Sequence, residues 1–166
     1  VKKYFICDEN KIKIVPLGFD LNKFSVDLEN KRMAIRNEYD IKNEVLISII
    51  GRVVPIKNHQ FFIDVIKYCK EKTNIPIKAL IIGDGPQTQD LIKYTNKIGL
   101  KSNYIVNENP YDIFFCSWKK EIDCFLAASD IVALTSLNEG TPVSIIESMA
   151  SGTASISTDV GGVSDI

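Results

Sequence analysis

Short, uninterrupted apolar runs alternate along this chain with stretches of helical period, and that alternation restricts the fold more than any other feature. Glu44-Val-Leu-Ile-Ser-Ile-Ile50, Ile77 to Ile82, Asp130 to Thr135 and Ala154 to Thr158 each read as a strand. A strand apolar on both faces needs cover on both faces, as in a parallel sheet with crossover helices. The intervening segments supply those helices. One runs from about His59 to Lys72 behind an Asn58 cap, with Phe62, Ile63, Ile66 and Cys69 as its inward stripe. Others are predicted over Glu29 to Tyr39, Gln87 to Ile98 (closed by Gly99) and Glu121 to Ser129, with Phe24 as an apolar plug before the first. Lys11 to Pro16 and Asn103 to Val106 read as short strands, and Asp112 to Cys116 as a strand or an insertion. The fold class is therefore α/β, and a ligand is expected beyond the carboxyl ends of the strands. Three strand-following loops carry glycine and charge: Gly51-Arg52, Gly83-Asp-Gly85 and Asn138-Glu-Gly140.

The stretch from Leu134 to Gly152 holds the most chemistry. It reads as a strand end, a polar turn, and a helix opening with Thr141 as N-cap and Pro142 at the first helical position. Gly152 supplies the residue type suited to a helix end. The free N–H groups of Gly140, Thr141, Val143 and Ser144, with the helix dipole, make an anion site. Glu139 precedes that tip. Glu147 lies inside the helix on the face of Gly140, Ser144 and Ser151, roughly 7 to 8 Å along from Pro142. Two carboxylates flanking an anion site match a sugar-diphosphate-nucleoside: hydroxyls, phosphates, hydroxyls. On local grounds, one capping and one exposed glutamate account for the same residues.

Arg52 and Lys57 flank the first loop and can both reach a diphosphate, one as a planar fork and one as a point charge. Two solvated loop cations are the plainer account. Gly83-Asp84-Gly85-Pro86-Gln87-Thr88 begins like a dinucleotide fingerprint, but Thr88 stands in place of the third glycine, so a tight turn near the ligand is expected instead. His59, the one histidine, suits packing or capping. Trp118 suits a gap in the packing or a stacked base. Gly161-Gly162 suits an anion contact or a turn.

A net charge of −1 over 166 residues argues against a nucleic-acid surface. Four scattered cysteines without a C-x-x-C pair argue against structural zinc and fit a reducing cytosol. No signal peptide is evident and the apolar runs are too short to span a bilayer. Length indicates one domain. A first residue other than Met and a motif that stops at Ile166 suggest a fragment of a longer protein.

Taken in order, Gly51-Arg52 with Lys57, Gly83-Asp-Gly-Pro86, Glu139-x7-Glu147 and Thr158-Asp-Val-Gly-Gly162 resemble the retaining family-4 (group 1) glycosyltransferases of GT-B fold. The resemblance runs from Ile14-Val-Pro-Leu-Gly18-Phe-Asp20 onward. It implies a Rossmann-like three-layer domain, the C-terminal, donor-binding half of such an enzyme, with the N-terminal acceptor domain absent and the C-terminal end truncated. It implies a UDP-, GDP- or ADP-sugar donor, a saccharide or lipid-linked acceptor, no metal and no further cofactor. By position, Arg52 and Lys57 hold the phosphates, together with Gly51 and the Gly140, Thr141, Pro142 and Val143 turn. Glu139 takes hydroxyls of the transferred sugar and Glu147 those of the ribose, with the base near Cys116, Ser117 and Trp118. Arg52, Lys57 and Glu139 are the catalytic set the resemblance implies. A role in polysaccharide biosynthesis follows, in the cytoplasm or attached to the inner membrane face through the rest of the protein. Three departures stand out. Gly140-Thr141-Pro142 replaces a Gly-Phe-Gly-like run, Lys101 to Cys116 is longer than usual, and Asp165 replaces the commoner Glu. A nucleotide-sugar epimerase of the same architecture and a non-catalytic nucleotide-binding module are the alternative functions.

Overall fold

The computed structural model describes residues 8, 11–13, 15, 17–104 and 110–166. Five strands form one parallel sheet: β1 (Val45–Ile50), β2 (Ile77–Ile82), β3 (Ile113–Phe115), β4 (Ile131–Leu134) and β5 (Ala154–Ser157), in the order β3-β2-β1-β4-β5. Five helices connect or precede them: α1 (Leu28–Glu38), α2 (His59–Lys72), α3 (Thr88–Lys97), α4 (Ile122–Ala128) and α5 (Val143–Ala150).

The two-residue period of the strands sorts their side chains to opposite faces. On one face Ile77, Ala79 and Ile81 of β2 meet Phe62, Ile63 and Ile66 of α2 and Leu91 and Ile92 of α3. On the other, Leu80 and Ile82 meet Ile35 of α1 and Phe125 and Ala128 of α4. Phe24 plugs the α4 side beside Leu126 and Val132, as its isolated position in a polar stretch suggested. Each fully buried side chain of this kind contributes about 1.5–3 kcal/mol. The strand-or-insertion ambiguity at Asp112 to Cys116 resolves as β3, paired to β2 through Ile113, Phe114 and Phe115.

Two short strand expectations differ. Lys11, Ile12, Lys13 and Val15 are not in a strand, while Ile14 and Pro16 lie outside the described residues. Near Asn103 there is a single bridge from Ser102 to Ile113 followed by a turn, and Ile105 and Val106 lie outside the described residues. Asn58 also departs from expectation: its side chain makes no cap bond, and its backbone is left-handed (φ 50°, ψ 46°). It reverses the chain between a tight turn at Pro55–Lys57 and α2, a conformation asparagine tolerates.

This strand order reverses direction between β1 and β4, so the chain leaves those two strands toward opposite sides of the sheet and a crevice is expected at their carboxyl ends. The β1–β4 register pairs Ile47 with Ile131 and Ser48 with Val132, against six pairs between β1 and β2. The crevice opens beyond the point where that short ladder stops.

The loops after β1 and β2 are joined closely. Gly51 N–H donates to Ile82 O and Val53 N–H to Asp84 O. A Cβ on Gly83 would stand 2.0 Å from the Gly51 carbonyl oxygen, at a φ of +140°. The Gly-Asp-Gly run is thus a backbone-to-backbone contact. Gly83→Ala should lower stability by about 3 kcal/mol or more through forced separation of the two loops. Chemical denaturation of the variant measures it, and a loss below about 1 kcal/mol would contradict the packing.

Candidate functional site

At the carboxyl rim, Ile50, Gly51, Arg52, Lys57, Trp118, Thr141, Pro142, Val143, Ser144 and Glu147 line one cleft of about 330 Å³. Residues from the loop after β1 thus face the tip of α5, the juxtaposition expected of an anion site. A wider recess bounded by Arg52, Asp84, Gly85 and Trp118 adjoins it.

The two principal loops are fastened to each other. The Thr135 hydroxyl donates to the carbonyls of Lys57 (3.0 Å) and Asn58 (3.1 Å), and Leu137 N–H donates to Ile56 O (2.8 Å). Lys57 reaches across, and its ammonium meets Glu139 Oε1 at 2.5 Å. The Glu139 side chain is only 8% exposed, so the carboxylate sits behind Lys57 rather than on the cleft wall. Its Oε1 also accepts from the Ser136 hydroxyl. Gly161 and Gly162 support this loop from behind. Gly162 N–H donates to Glu139 O, and a Cβ on Gly161 would lie 2.0 Å from that oxygen. The Gly162 N–H is thereby occupied, and the pair opens a short 3-10 turn over Gly161–Asp165.

The guanidinium of Arg52 has no hydrogen-bond or ion-pair partner among the described residues, although Arg52 lines the cleft and the adjoining recess. An unpaired cation there is free to meet a ligand's negative charge.

The helix tip differs in detail from its sequence reading. Pro142, not Thr141, is the residue before the first helical position, and no side chain caps α5. Pro142 has φ −79° and ψ 76°, the geometry of an inverse γ-turn, and Val143 N–H donates to Thr141 O across it. That bond removes Val143 from the free donors. The N–H groups of Gly140, Thr141 and Ser144 have no acceptor among the described residues. Glu147 lines the cleft as expected, and burial raises its carboxyl pKa above the ordinary value, against the pull of Lys23 and with the help of Asp123.

The base-binding trio separates. Cys116 is turned into the core beside Leu46, Phe114 and Phe125, and burial pushes its thiol up to about 11. Ser117 is exposed in a left-handed conformation (φ 56°), its carbonyl accepting from Gly83 N–H. Trp118, 61% exposed, fills no gap and lies over the cleft and the recess. His59 is packed as expected, without capping. It is 1% exposed, and neither ring nitrogen has a partner among the described residues. Burial, then the nearby Lys57 charge, hold its pKa down to about 4.

Thr135 and Ser136 escaped the sequence reading. The available signal was two consecutive hydroxyl residues directly after an apolar strand; both are buried and both act on the loop geometry. In the sequence Asp84 stands out only as part of a turn. Its carboxylate accepts from Gly85 N–H and the Thr88 hydroxyl, which lower its pKa in that order. Thr88 is therefore a turn partner in the position where a dinucleotide fingerprint has glycine. Among the described residues, no three His, Cys, Asp or Glu side chains gather closely enough to hold a metal.

The sequence matches the family model described as "Glycosyl transferases group 1" over residues 31–166. One similar protein is the UDP-Gal:alpha-D-GlcNAc-diphosphoundecaprenol alpha-1,3-galactosyltransferase of Escherichia coli, 30% identical over 98% of this chain and 40% of that enzyme. The chain thus spans about 40% of the length of that curated relative. Among solved structures, the C-terminal domain of a group 1 family glycosyl transferase (LpcC) from Francisella tularensis is 26% identical, with a TM-score of 0.67 over 88% of this chain and 73% of that one. Anabaena HepE in complex with UDP-glucose has the same fold at 24% identity, with a TM-score of 0.78 over 92% of this chain and 40% of that one. The E. coli relative and the Francisella domain are both named as glycosyltransferases. Sequence match and sheet topology agree, and the chain belongs to the group 1 glycosyltransferase family.

Proposed function

We propose that this domain binds a nucleoside diphosphate sugar, with uracil as the base and a hexose as the sugar, for retaining transfer to a saccharide or lipid-linked acceptor. The observation that carries the reading is the single cleft in which Arg52, Lys57, the α5 tip and Glu147 meet at the reversal of strand order. The name of the E. coli relative specifies a UDP-Gal donor, which favours uridine over guanosine or adenosine. The acceptor side belongs to another part of the whole enzyme in this reading.

The chemistry follows from charge. As the bond between the anomeric carbon and the phosphate oxygen breaks, negative charge builds on the leaving diphosphate. Arg52 can meet it with a two-donor fork and Lys57 with a point charge, while the free N–H groups of Gly140, Thr141 and Ser144 add fixed dipoles. In this proposal the two cations do the work given elsewhere to Mg²⁺, and no metal or other cofactor is required. Glu139 takes hydroxyls of the sugar, Glu147 those of the ribose, and Trp118 offers an exposed ring for the base. The catalytic set is Arg52, Lys57 and Glu139. The whole enzyme works on the cytoplasmic side, where nucleotide sugars are its substrate; no helix among the described residues is long and apolar enough to cross a membrane.

Calorimetry with UDP, GDP and ADP tests this. UDP should bind most tightly, and absence of binding by all three to the folded chain would overturn the proposal. The ribose assignment has its own test. Glu147→Ala should weaken UDP about tenfold, the size of one or two lost hydrogen bonds to a charged group, and leave pyrophosphate affinity unchanged. Equal losses for both ligands would remove Glu147 from the ribose.

A further inference from the structure

Glu139 is held by two donors of very different mobility. Its Oε1 accepts from Lys57 Nζ and from Ser136 Oγ, each at 2.5 Å, while Oε2 has no partner among the described residues. Lys57 ends a flexible four-carbon stem, its side chain is 26% exposed, and it also lines the cleft where a diphosphate would lie. Ser136 is the opposite in each respect. It is 1% exposed, and its carbonyl accepts from the Thr158 hydroxyl at 2.6 Å. Thr158 is itself tied to β4 through its N–H on Leu134 O. On either side of Ser136, Thr135 and Leu137 are bonded to the loop after β1.

We propose that Ser136 is a positioning residue, clamped by Thr158, that keeps the Glu139 carboxylate in place for the sugar when a diphosphate draws Lys57 away. This rests on the reading of Glu139 as the sugar contact. The two donors then divide the work. An incoming diphosphate is the stronger attractor for an ammonium than one carboxylate oxygen, so Lys57 swings toward it. Without Ser136 the carboxylate would follow the ammonium or turn freely. With Ser136, Oε1 stays bonded and Oε2 remains available to accept from a sugar hydroxyl. Recognition of the sugar is thereby separated from the charge that holds the phosphates, and Ser136 acts on the first alone.

The test uses the ratio of dissociation constants, UDP over UDP-hexose, measured by calorimetry on the chain with UDP-galactose and with UDP-glucose. Glu139→Ala should lower the larger of the two ratios about tenfold, as expected for loss of a charge-assisted hydrogen bond. Ser136→Ala should lower it nearly as far while the UDP dissociation constant stays within about twofold. Ser136→Thr keeps the hydroxyl and should keep the ratio, a rescue that mere loss of packing would not give. Thr158→Val, nearly isosteric, should shift the ratio in the same direction by less, and it decides the matter if Ser136→Ala does not fold. If Glu139→Ala lowers the ratio and neither Ser136→Ala nor Thr158→Val does, the positioning role is wrong and the sugar assignment stands. If Glu139→Ala leaves the ratio unchanged, the sugar assignment fails and the positioning role fails with it.

Discussion

Lys57→Ala should cost about 2 kcal/mol of stability and weaken UDP binding about a hundredfold. The stability loss arises from Glu139. Its side chain is 8% exposed, and without the ammonium it would keep only the Ser136 hydroxyl. Breaking a buried pair by removing one partner costs about 3–5 kcal/mol. The 26% exposure of the Lys57 side chain lets water screen the pair, which places the expected cost below that range. The binding loss has a separate origin, the removal of a cation facing the diphosphate, for which truncation costs of about 2–5 kcal/mol are typical. The double variant Lys57→Ala, Glu139→Ala separates the two effects. It should recover most of the stability, because no charge is left unpaired, and recover none of the affinity. Chemical denaturation and calorimetric titration of the three variants measure both. Lys57→Ala as stable as the parent, or binding UDP unchanged, would contradict the arrangement.

His59 should make the domain sensitive to mild acid. In the folded chain burial and Lys57 hold its pKa down to about 4, against 6.5 when exposed. Between those values the unfolded chain binds more protons than the folded one, so stability increases with pH across that window. The full contribution is present above about pH 6.5 and is lost as the pH falls toward 4. The shift corresponds to a loss of up to about 3 kcal/mol from this one group. His59→Leu removes the titration and the two unpartnered buried nitrogens together. Denaturation at pH 7.5, 6.5, 5.5 and 4.5 should show the parent losing stability relative to the variant at each step. Parallel curves would mean that His59 is not the titrating group.

Much of the frame was legible because apolar period alone decides it. The predicted ranges for α2 and β2 coincide with the observed His59–Lys72 and Ile77–Ile82. Both are strongly patterned and bounded by residues that interrupt the pattern, Asn58 and Thr73 around α2, Pro76 and Gly83 around β2. The carboxyl-rim site was legible for a related reason, since loops with glycine and charge follow three of the strands and parallel order places them on one rim. Where backbone conformation competes with side-chain capping, sequence was a poor guide. The hydrogen-bonding habit of asparagine predicts a cap at Asn58, yet its tolerance of left-handed backbone prevails. The preference of proline for the first helical position predicts Pro142 inside the helix, yet its γ-turn leaves it outside and consumes the Val143 N–H. Long-range placement was equally hidden. Nothing near Cys116 or Trp118 in the chain indicates that the first faces Phe125 and the second faces Arg52 across the rim. The buried hydroxyls of Thr135 and Ser136 gain meaning only when the loop carrying Lys57 is set beside them.

At 18.6 kDa the chain is small enough for residue-by-residue amide spectra. UDP added to the labelled domain should shift Gly51, Arg52, Gly140, Thr141 and Ser144, together with the Trp118 indole N–H. The open recess at the amino end of the sheet, bounded by Arg32, Asp130, Ser151 and Thr153, should remain still. Shifts centred on that recess, with the rim around Arg52 and Thr141 unmoved, would contradict the placement of the donor site.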